Sequence, residues 1–427
     1  MYKVQLLAAK AVAQVIDGHN LNQILDNLKR SHSELTPAER SAFQDISYTT
    51  LRWLSRLEGV LALLVQRPLR DQRVRSLLLV ALAQLTYGKS AEHAVVDHAV
   101  RAANSLKLPW AKGLVNGVLR NFLRQREQLL RKVDADIQSR LSYPEWWLAK
   151  AKQQYPEAWE AMLAVGNLHP PMTLRVNRRK VGRDEYLILL AQADIQAKPL
   201  GCLGVLLEKP VPVEKLPKFG EGWVSVQDYG AQQAGFLLEV QDGMRVLDAC
   251  SAPGGKTAHL LEIADLDLTA LDHDVTRLQK VQDNLRRLEL KAEVREGNAA
   301  KPQEWWNGRL FDRILADVPC SASGIVRRHP DIKWLRRDAD IAGFAAQQSL
   351  ILKGLWSTLA KGGKLLYATC SVFHEENVRQ VDSFLAETPD ARRLPLAWEQ
   401  FSGLEKEGQL LPCELHDGFY YALLQKI

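Results

Sequence analysis

Cysteine is scarce in this chain of 427 residues, which contains five cysteines and no CxxC pair. An odd number of cysteines without paired spacing argues against a disulfide framework and against a structural zinc site. Long hydrophobic runs are also missing, since the longest, SLLLVALAQL at 76–85, is shorter than the roughly 18 residues of a membrane-spanning helix. The N-terminus lacks the charged, apolar and small-residue regions of a signal peptide in that order. These absences predict a cytoplasmic protein with free thiols, no bound metal and no membrane contact.

An excess of charge of one sign is found only in the first third of the chain. The net charge is +6, and residues 1–145 contain 21 Lys and Arg against 13 Asp and Glu, whereas the remainder contains 35 against 37. A basic surface on one part of a protein is typical of contact with a polyanion such as nucleic acid. A solvated basic surface without a ligand has the same composition, so the charge alone leaves both interpretations open.

Hydrophobic periodicity divides the chain into three regions. Residues 1–145 repeat apolar residues at helical spacing, and TPAE at 36–39 has the form of a capping box, which predicts an all-α domain. Residues 146–235 combine a helix with short strand-like segments, which predicts a small α+β domain. Residues 236–427 alternate apolar strands with helices, the pattern of a parallel sheet covered on both faces. The predicted fold class is multidomain, and the last domain is α/β and Rossmann-like.

Polar residues follow four consecutive predicted strands of the third region. Asp272 follows the second strand, Asn298 the third and Asp317 the fourth. The first strand is followed by Cys250, Ser251, Ala252, Pro253, Gly254, Gly255 and Lys256. Ligands of such sheets bind at the carboxyl ends of the strands, and an acid after the second strand typically accepts hydrogen bonds from ribose hydroxyls. With Asn298 placed to contact a base, the set suits S-adenosylmethionine, although Asp272 would also serve as an ordinary helix N-cap.

The segment CSAPGGKT at 250–257 also approaches the P-loop pattern GxxxxGK[ST]. A P-loop would bind ATP with magnesium, and the acid in DRILAD would then hold the metal ion. Cys250 stands where that pattern requires its first Gly, and Pro253 lies inside the loop. Both departures disfavour a nucleotidase, which stays open as an alternative.

Two cysteines follow strands at the same edge of the predicted sheet. Cys320 comes after Asp317-Val318-Pro319, and Cys370 ends the run GGKLLYATC. Carbon 5 of cytosine is a poor nucleophile, but a thiolate that adds to carbon 6 makes carbon 5 enamine-like and able to accept a methyl group. A base must then remove the proton from carbon 5 before the thiol is expelled, and a second thiol could assist there. The alternative is two inert buried cysteines, and spacing alone does not say which thiol would attack.

Four segments resemble the RNA cytosine-5 methyltransferases in wording and in order, namely VLDACSAPGGKT, DVPCSASG, RRHPDIKWLRR and YATCS. The helical N-terminal region looks NusB-like, so the chain is most similar to the bacterial 16S rRNA members of that family, over essentially its whole length. The resemblance implies a class I methyltransferase fold with S-adenosylmethionine as the methyl donor. It also implies cytosine 967 of 16S rRNA as the target, in free rRNA or in an early small-subunit particle, and a monomeric enzyme.

The resemblance assigns roles to the residues at the strand ends. It implies that Cys370 is the nucleophile, that Cys320 helps to release the methylated product and that Asp317 belongs to the catalytic site. It further implies that residues 250–256, Asp272 and Asp317 line the cofactor site.

One position departs from the family pattern. Close relatives carry Asp where this chain has Asn298. An amide still accepts a hydrogen bond, but a contact that depends on charge is not expected there.

The basic segment RRHPDIKWLRR at 327–337 is predicted to contact RNA. Guanidinium groups suit phosphates, and a Trp side chain can stack on an unpaired base. The predicted contact residues are Arg327, Arg328, Lys333, Trp334, Arg336 and Arg337. A solvated loop is the ordinary interpretation of such a run, but its place directly after the Pro-Cys segment favours RNA. No cluster of partners supports His329 as a metal ligand.

The sequence therefore predicts an S-adenosylmethionine-dependent cytosine-5 methyltransferase acting on 16S rRNA. The helical and middle domains would supply RNA affinity and positioning. An RNA-binding or antitermination factor with a vestigial catalytic domain is the alternative from another class, and the intact pair of cysteines argues against it.

Overall fold

A computed structural model of the chain describes residues 1–397 and 408–427, which form two compact units. The helical unit comprises Met1–Leu168 and Val326–Asp338, and the sheet unit comprises His169–Ile325 and Ala339–Ile427. The three predicted domain ranges did not include the return of residues 326–338 to the helical unit.

The first ten helices belong to the helical unit, and α3 begins with the capping box expected from the sequence. Thr36 accepts a hydrogen bond from the backbone N–H of Glu39, whose side chain accepts one from the backbone N–H of Thr36. The apolar run 76–85 lies in α5, which is buried on nearly all sides, because a helix that is hydrophobic all round belongs in a core. The helices are α1 (Tyr2–Ile16), α2 (Leu21–Ser31), α3 (Pro37–Arg52), α4 (Leu54–Leu64), α5 (Gln72–Tyr87), α6 (Glu92–Ser105), α7 (Ala111–Asp134), α8 (Ile137–Leu141), α9 (Glu145–Gln154) and α10 (Trp159–Val165).

Residues 326–338 complete the core of the helical unit through one buried ammonium group. The Nζ atom of Lys333 donates to the carbonyl oxygens of Arg52 and Ser142, each at 2.7 Å, and to Oδ1 of Asn167 at 2.9 Å. Lys333 is fully buried. The three oxygens match the three donors of a protonated lysine. Burial and the charge of Arg52 oppose that form, since they lower the pKa of Lys333 well below that of a free lysine.

The sheet unit begins with a small antiparallel sheet in the order β2-β3-β1-β4, covered by α11. The larger sheet has the order β10-β12-β9-β8-β5-β6-β7, and β11 pairs with β12. The strands are β1 (Met172–Val176), β2 (Ala197–Leu200), β3 (Gly204–Leu207), β4 (Val224–Val226), β5 (Arg245–Ala249), β6 (Asp267–Asp272), β7 (Glu293–Glu296), β8 (Phe311–Asp317), β9 (Leu359–Thr369), β10 (Ala391–Leu394), β11 (Gln409–Leu410) and β12 (Phe419–Lys426). The remaining helices are α11 (Arg183–Gln192), α12 (Tyr229–Leu237), α13 (Gly255–Ile263), α14 (Val275–Leu288), α15 (Ile332–Leu335, in the helical unit), α16 (Asp338–Thr358) and α17 (Val378–Glu387).

The larger sheet is parallel from β7 to β9, and β12 runs antiparallel to β9. Val246 and Leu247 in β5 belong to different hydrophobic clusters, because successive side chains point to opposite faces and both faces are covered. Strand order reverses between β5 and β8, and ligands of open α/β sheets bind at such a point.

Among the residues that the structure describes, no helix meets the length and hydropathy needed to cross a membrane. The same residues contain no cluster of three or more His, Cys, Asp or Glu side chains arranged to hold a metal ion.

Candidate active site

The loop between β5 and α13 lies at the carboxyl edge of the larger sheet. Cys250 and Gly254 have φ angles of 62° and 94°, in the left-handed region. A Cβ atom on Gly254 would approach Cα of Val281 to 3.1 Å, so this position needs glycine for both conformation and space. Asp272, at the end of β6, holds the loop because its Oδ2 accepts a hydrogen bond from the backbone N–H of Ala252 at 3.0 Å. The first two predicted strand ends therefore meet.

Buried oxygen atoms in this crevice fit a nucleoside cofactor. Among the described residues, Oδ1 of Asp248 and Oγ of Ser251 are buried side-chain atoms without a hydrogen-bond partner. The other carboxylate oxygen of Asp248 accepts from Oγ1 of Thr257 at 2.5 Å, and burial raises the pKa of Asp248 to about 7. Hydroxyl and amino groups of S-adenosylmethionine would satisfy such atoms, and no polyphosphate is needed.

Asn298 lies just beyond β7 and is exposed. Its Oδ1 accepts a hydrogen bond from the backbone N–H of Ala300 at 2.9 Å, so the side chain stabilises its own turn. Its predicted contact with the cofactor base stays a prediction.

The structure brings the two strand-end thiols together. The Sγ atoms of Cys320 and Cys370 are 3.4 Å apart, a hydrogen-bonding distance for sulfur. They meet because β8 and β9 are neighbours in parallel, with Asp317 opposite Ala368. The hydrogen bond with Cys370, together with burial, raises the pKa of Cys320 well above that of a free thiol. Burial also raises the pKa of Cys250, which lies in the loop between β5 and α13.

Lys256 and Asp317 form an ion pair beside the thiols. The Nζ atom of Lys256 lies 2.6 Å from Oδ2 of Asp317 and 5.7 Å from the ring centre of Phe419. Burial lowers the pKa of Lys256, but the charge and hydrogen bond of Asp317 outweigh it, so that the pKa is raised overall. Asp317 therefore keeps the ammonium group of Lys256 protonated in the crevice. In a P-loop this lysine would contact phosphate groups, whereas here it is paired with Asp317.

Models of known protein families match most of the chain. The 16S rRNA methyltransferase RsmB/F family matches residues 235–425, an RsmF/B-like ferredoxin-like domain matches residues 143–214, and the NusB family matches residues 2–124. The chain is 47% identical to ribosomal RNA small subunit methyltransferase B of Pseudomonas putida, over 99% of this chain and 98% of that protein. The chain belongs to the RsmB/F family of 16S rRNA methyltransferases.

Solved structures agree with the fold of an RsmB/F member. The crystal structure of PH0851 has a TM-score of 0.81 at 22% identity and covers 100% of this chain and 99% of its own. A methyltransferase homologue from Pyrococcus horikoshii has a TM-score of 0.60 at 27% identity, over 68% of this chain and 98% of its own. The predicted fold class, a NusB-like helical domain, an α+β middle domain and a C-terminal methyltransferase domain, is confirmed.

Two of the six predicted RNA-contact residues in the basic segment 327–337 of this RsmB/F member are buried. Lys333 is enclosed by three oxygen atoms, so the prediction that it contacts phosphate is wrong. Trp334 donates from Nε1 to the carbonyl oxygen of Leu51 at 2.8 Å and packs on the helical core, but it is only partly buried, so its stacking on a base stays a prediction.

The four arginines of the segment differ in exposure. Arg327 is buried, and its carbonyl oxygen accepts from Nη2 of Arg52 at 2.8 Å, which corrects its prediction as a phosphate contact. Arg328 and Arg336 are partly buried and Arg337 is exposed. RNA contact by these last three residues stays a prediction.

Sequence reasoning missed Glu376, a fully buried acid at the thiol pair. Its carboxylate accepts hydrogen bonds from Ser321 and Ser371, the residues that directly follow Cys320 and Cys370. The only signal in the sequence was an acid six residues beyond Cys370, in SVFHEEN, and that spacing does not indicate which side chains it would meet.

Proposed function

We propose that this RsmB/F member transfers a methyl group from S-adenosylmethionine to carbon 5 of a cytosine in 16S rRNA, through a covalent bond from Cys370 to the base. The observation that carries the proposal is the pair of thiols, 3.4 Å apart, at the ends of two neighbouring parallel strands beside the cofactor crevice. We propose cytosine 967 as the target on the family resemblance alone. The substrate would be free 16S rRNA or an early small-subunit particle, bound by a monomer.

The reaction needs a nucleophile, an electrophile and the loss of a proton. The thiolate of Cys370 adds to carbon 6, which moves electrons toward carbon 5 and builds negative charge on the cytosine ring. S-adenosylmethionine supplies the electrophilic methyl group when it is bound. Lys256, kept charged by Asp317, stabilises the developing negative charge, because fixed charges act strongly in a site with little water.

Release then reverses the addition. The thiolate form of Cys320 accepts the proton from carbon 5 and later passes it to solvent. The electrons of the carbon–hydrogen bond form the carbon 5–carbon 6 double bond, and the bond from carbon 6 to sulfur breaks, so that Cys370 leaves as a thiolate. Cys320 is close enough to Cys370 to assist this step. The geometry of the thiols is nearly symmetric, so the assignment of Cys370 as nucleophile rests on the family resemblance.

Two measurements separate this proposal from its alternatives. Incubation of the protein with 16S rRNA and S-adenosylmethionine labelled in its methyl group should give 5-methylcytosine in the RNA, whereas an RNA-binding factor with a vestigial catalytic domain would give none. A titration with magnesium-ATP should show no tight binding, and tight binding would favour the P-loop alternative. Mapping of 5-methylcytosine in rRNA from cells with and without the gene would identify the nucleotide.

A change of Asp272 to Asn should weaken cofactor binding. Asn keeps the size and one acceptor oxygen but loses the charge, so hydrogen bonds from ribose hydroxyls should weaken by about 1–3 kcal/mol. Isothermal titration with S-adenosylmethionine measures the change. Asp283→Asn, at an exposed position of α14, is the matched control and should bind as the unchanged protein does. Equal affinities of both variants would remove Asp272 from the site.

RNA affinity should depend steeply on salt because of the basic surface of the helical unit. Helix α7 exposes Lys112, Arg120 and Arg124, and Trp110, at its N-cap, is half exposed and available to stack on a base. Changing the three cations to Gln should lower affinity and flatten the plot of log K against log salt by about 2–3 in slope if each meets a phosphate.

The matched control for the α7 variant also changes three exposed cations to Gln. These are the sheet-unit lysines Lys209, Lys291 and Lys361. Filter binding of a 16S rRNA fragment at several salt concentrations gives both slopes. If the control variant lost as much affinity and slope as the α7 variant, the helical unit would need another role, such as contact with a protein.

A further inference from the structure

Glu376 joins the two loops that carry the thiols. On the Cys320 side, its Oε1 accepts from the backbone N–H of Ser321 at 2.7 Å and its Oε2 accepts from Oγ of the same residue at 2.6 Å. On the Cys370 side, Oε2 accepts from Oγ of Ser371 at 2.5 Å. One carboxylate therefore holds the residue that follows each thiol.

The residue before Cys320 is held by Gln348, which also binds Glu376. Gln348 donates from Nε2 to Oε1 of Glu376 at 3.3 Å and to the carbonyl oxygen of Pro319, the residue before Cys320, at 3.0 Å.

Asn377, next to Glu376 in the chain, forms hydrogen bonds with the loop that carries Cys370. Its Oδ1 accepts from Oγ1 of Thr369, the residue before Cys370, at 2.6 Å, and its Nδ2 donates to the carbonyl oxygen of Ser371 at 2.9 Å. Both thiols are thus fixed on both sides.

Burial makes this arrangement stiff. Glu376 has no exposed surface, so water does not replace a lost partner, and a buried acceptor that is fully satisfied specifies one geometry. Burial raises the pKa of Glu376, while the hydrogen bonds from the two serines partly oppose the rise. None of the hydrogen bonds described for the Glu376 carboxylate is to a thiol, so it positions the sulfur atoms through their neighbours. Its charge also contributes to the raised pKa of Cys320, after the hydrogen bond with Cys370 and burial.

We infer that Glu376 is a positioning residue that sets the spacing of the two thiols, so that one attacks the base and the other assists release from the same bound cytosine. The inference rests on the proposed function, since it assumes distinct roles for Cys370 and Cys320. A displacement of about 1 Å in a reacting group is enough to slow a reaction about 100-fold. A separate backbone bond, from N–H of Gly324 to the carbonyl oxygen of Cys370 at 2.8 Å, keeps the loops together when the carboxylate is removed.

The test compares Glu376→Ala with the two serines that Glu376 holds. Glu376→Ala should lower kcat about 100-fold while KM for RNA and for S-adenosylmethionine stays within about twofold. Glu376→Gln should restore most of the rate, because an amide of the same size still accepts from the backbone N–H of Ser321 and can donate to a serine hydroxyl. Glu375→Ala, beside it and paired with Arg379 at 3.6 Å, is the matched control and should keep the original rate.

The serine variants show which step each contact serves. Ser321→Ala loosens the Cys320 loop, so the covalent protein–RNA complex should form at the original rate and accumulate on denaturing gels. Ser371→Ala loosens the Cys370 loop, so the complex should form more slowly and not accumulate. A purely structural role would lower the melting temperature and all rates together in both variants, without this difference, and that result would overturn the inference.

The thiol variants keep this inference separate from the proposed function. If Cys370→Ala still forms the complex in the same assay, the proposed function fails. If the cysteine variants behave as proposed but Glu376→Ala keeps the original kcat, only the positioning role fails. If Glu376→Ala does not fold, the two serine variants and Glu376→Gln decide the question.

Discussion

Cys370→Ala is expected to abolish methylation and to leave no covalent complex between protein and RNA. The cytosine cannot accept a methyl group at carbon 5 unless a nucleophile has added at carbon 6. Cys320→Ala should still attack and methylate but should release the product poorly, leaving a protein–RNA complex that survives a denaturing gel. The target base must leave its stack to reach the thiol, so a cytosine in an RNA loop should react better than the same base in a duplex.

Methyl transfer from labelled cofactor and gel mobility of labelled RNA measure the two outcomes side by side. Cys202→Ala, at an exposed cysteine, is the control and should behave as the unchanged protein does. If the complex accumulated with Cys370→Ala and did not form with Cys320→Ala, Cys320 would be the nucleophile and Cys370 would assist release. Full activity in both variants would mean that both cysteines serve only packing.

Lys333→Ala should destabilise the helical unit by roughly 3–5 kcal/mol, because it leaves three buried oxygen atoms without a donor. Urea unfolding followed by circular dichroism measures the loss. Arg337→Ala, at an exposed position of the same segment, is the matched control and should change the free energy of unfolding by less than about 1 kcal/mol. Equal midpoints for Lys333→Ala and the unchanged protein would show that the buried ammonium contributes no stability.

The meeting of the loop 250–256 with the two thiols at one edge of the sheet could be predicted from the sequence, because each follows a strand of a parallel sheet. The carboxyl ends of such strands lie at one edge of the sheet, so residues that follow different strands are expected to lie close together even when they are far apart in sequence. Segment 327–337 could not be interpreted in the same way. Its cations look solvated in sequence. Two of the three partners of Lys333 are main-chain oxygens 281 and 191 residues away, which carry no sequence signal.

Glu376 was missed for a related reason. Its partners Ser321 and Ser371 are common residue types, one of them 55 residues distant, and their role depends on which way the loops turn after the strands. The distant partners of Lys333 also affect the design of a shortened chain. A chain that starts near Pro144 would lack the carbonyl oxygens of Arg52 and Ser142 that hold Lys333, so loss of RNA binding in such a chain would not isolate the helical unit's contribution.

The placement of residues 326–338 in the helical unit also orders events during synthesis. The ribosome makes helices α1 to α10 first, and they emerge without the lysine that their buried oxygens require. The helical unit therefore reaches its final stability only after Lys333 has left the ribosome. Strand β8 and Cys320 precede Lys333 in the chain and have been made by then. The helical unit of a nascent chain is therefore complete only after the first of the two thiols has been synthesised.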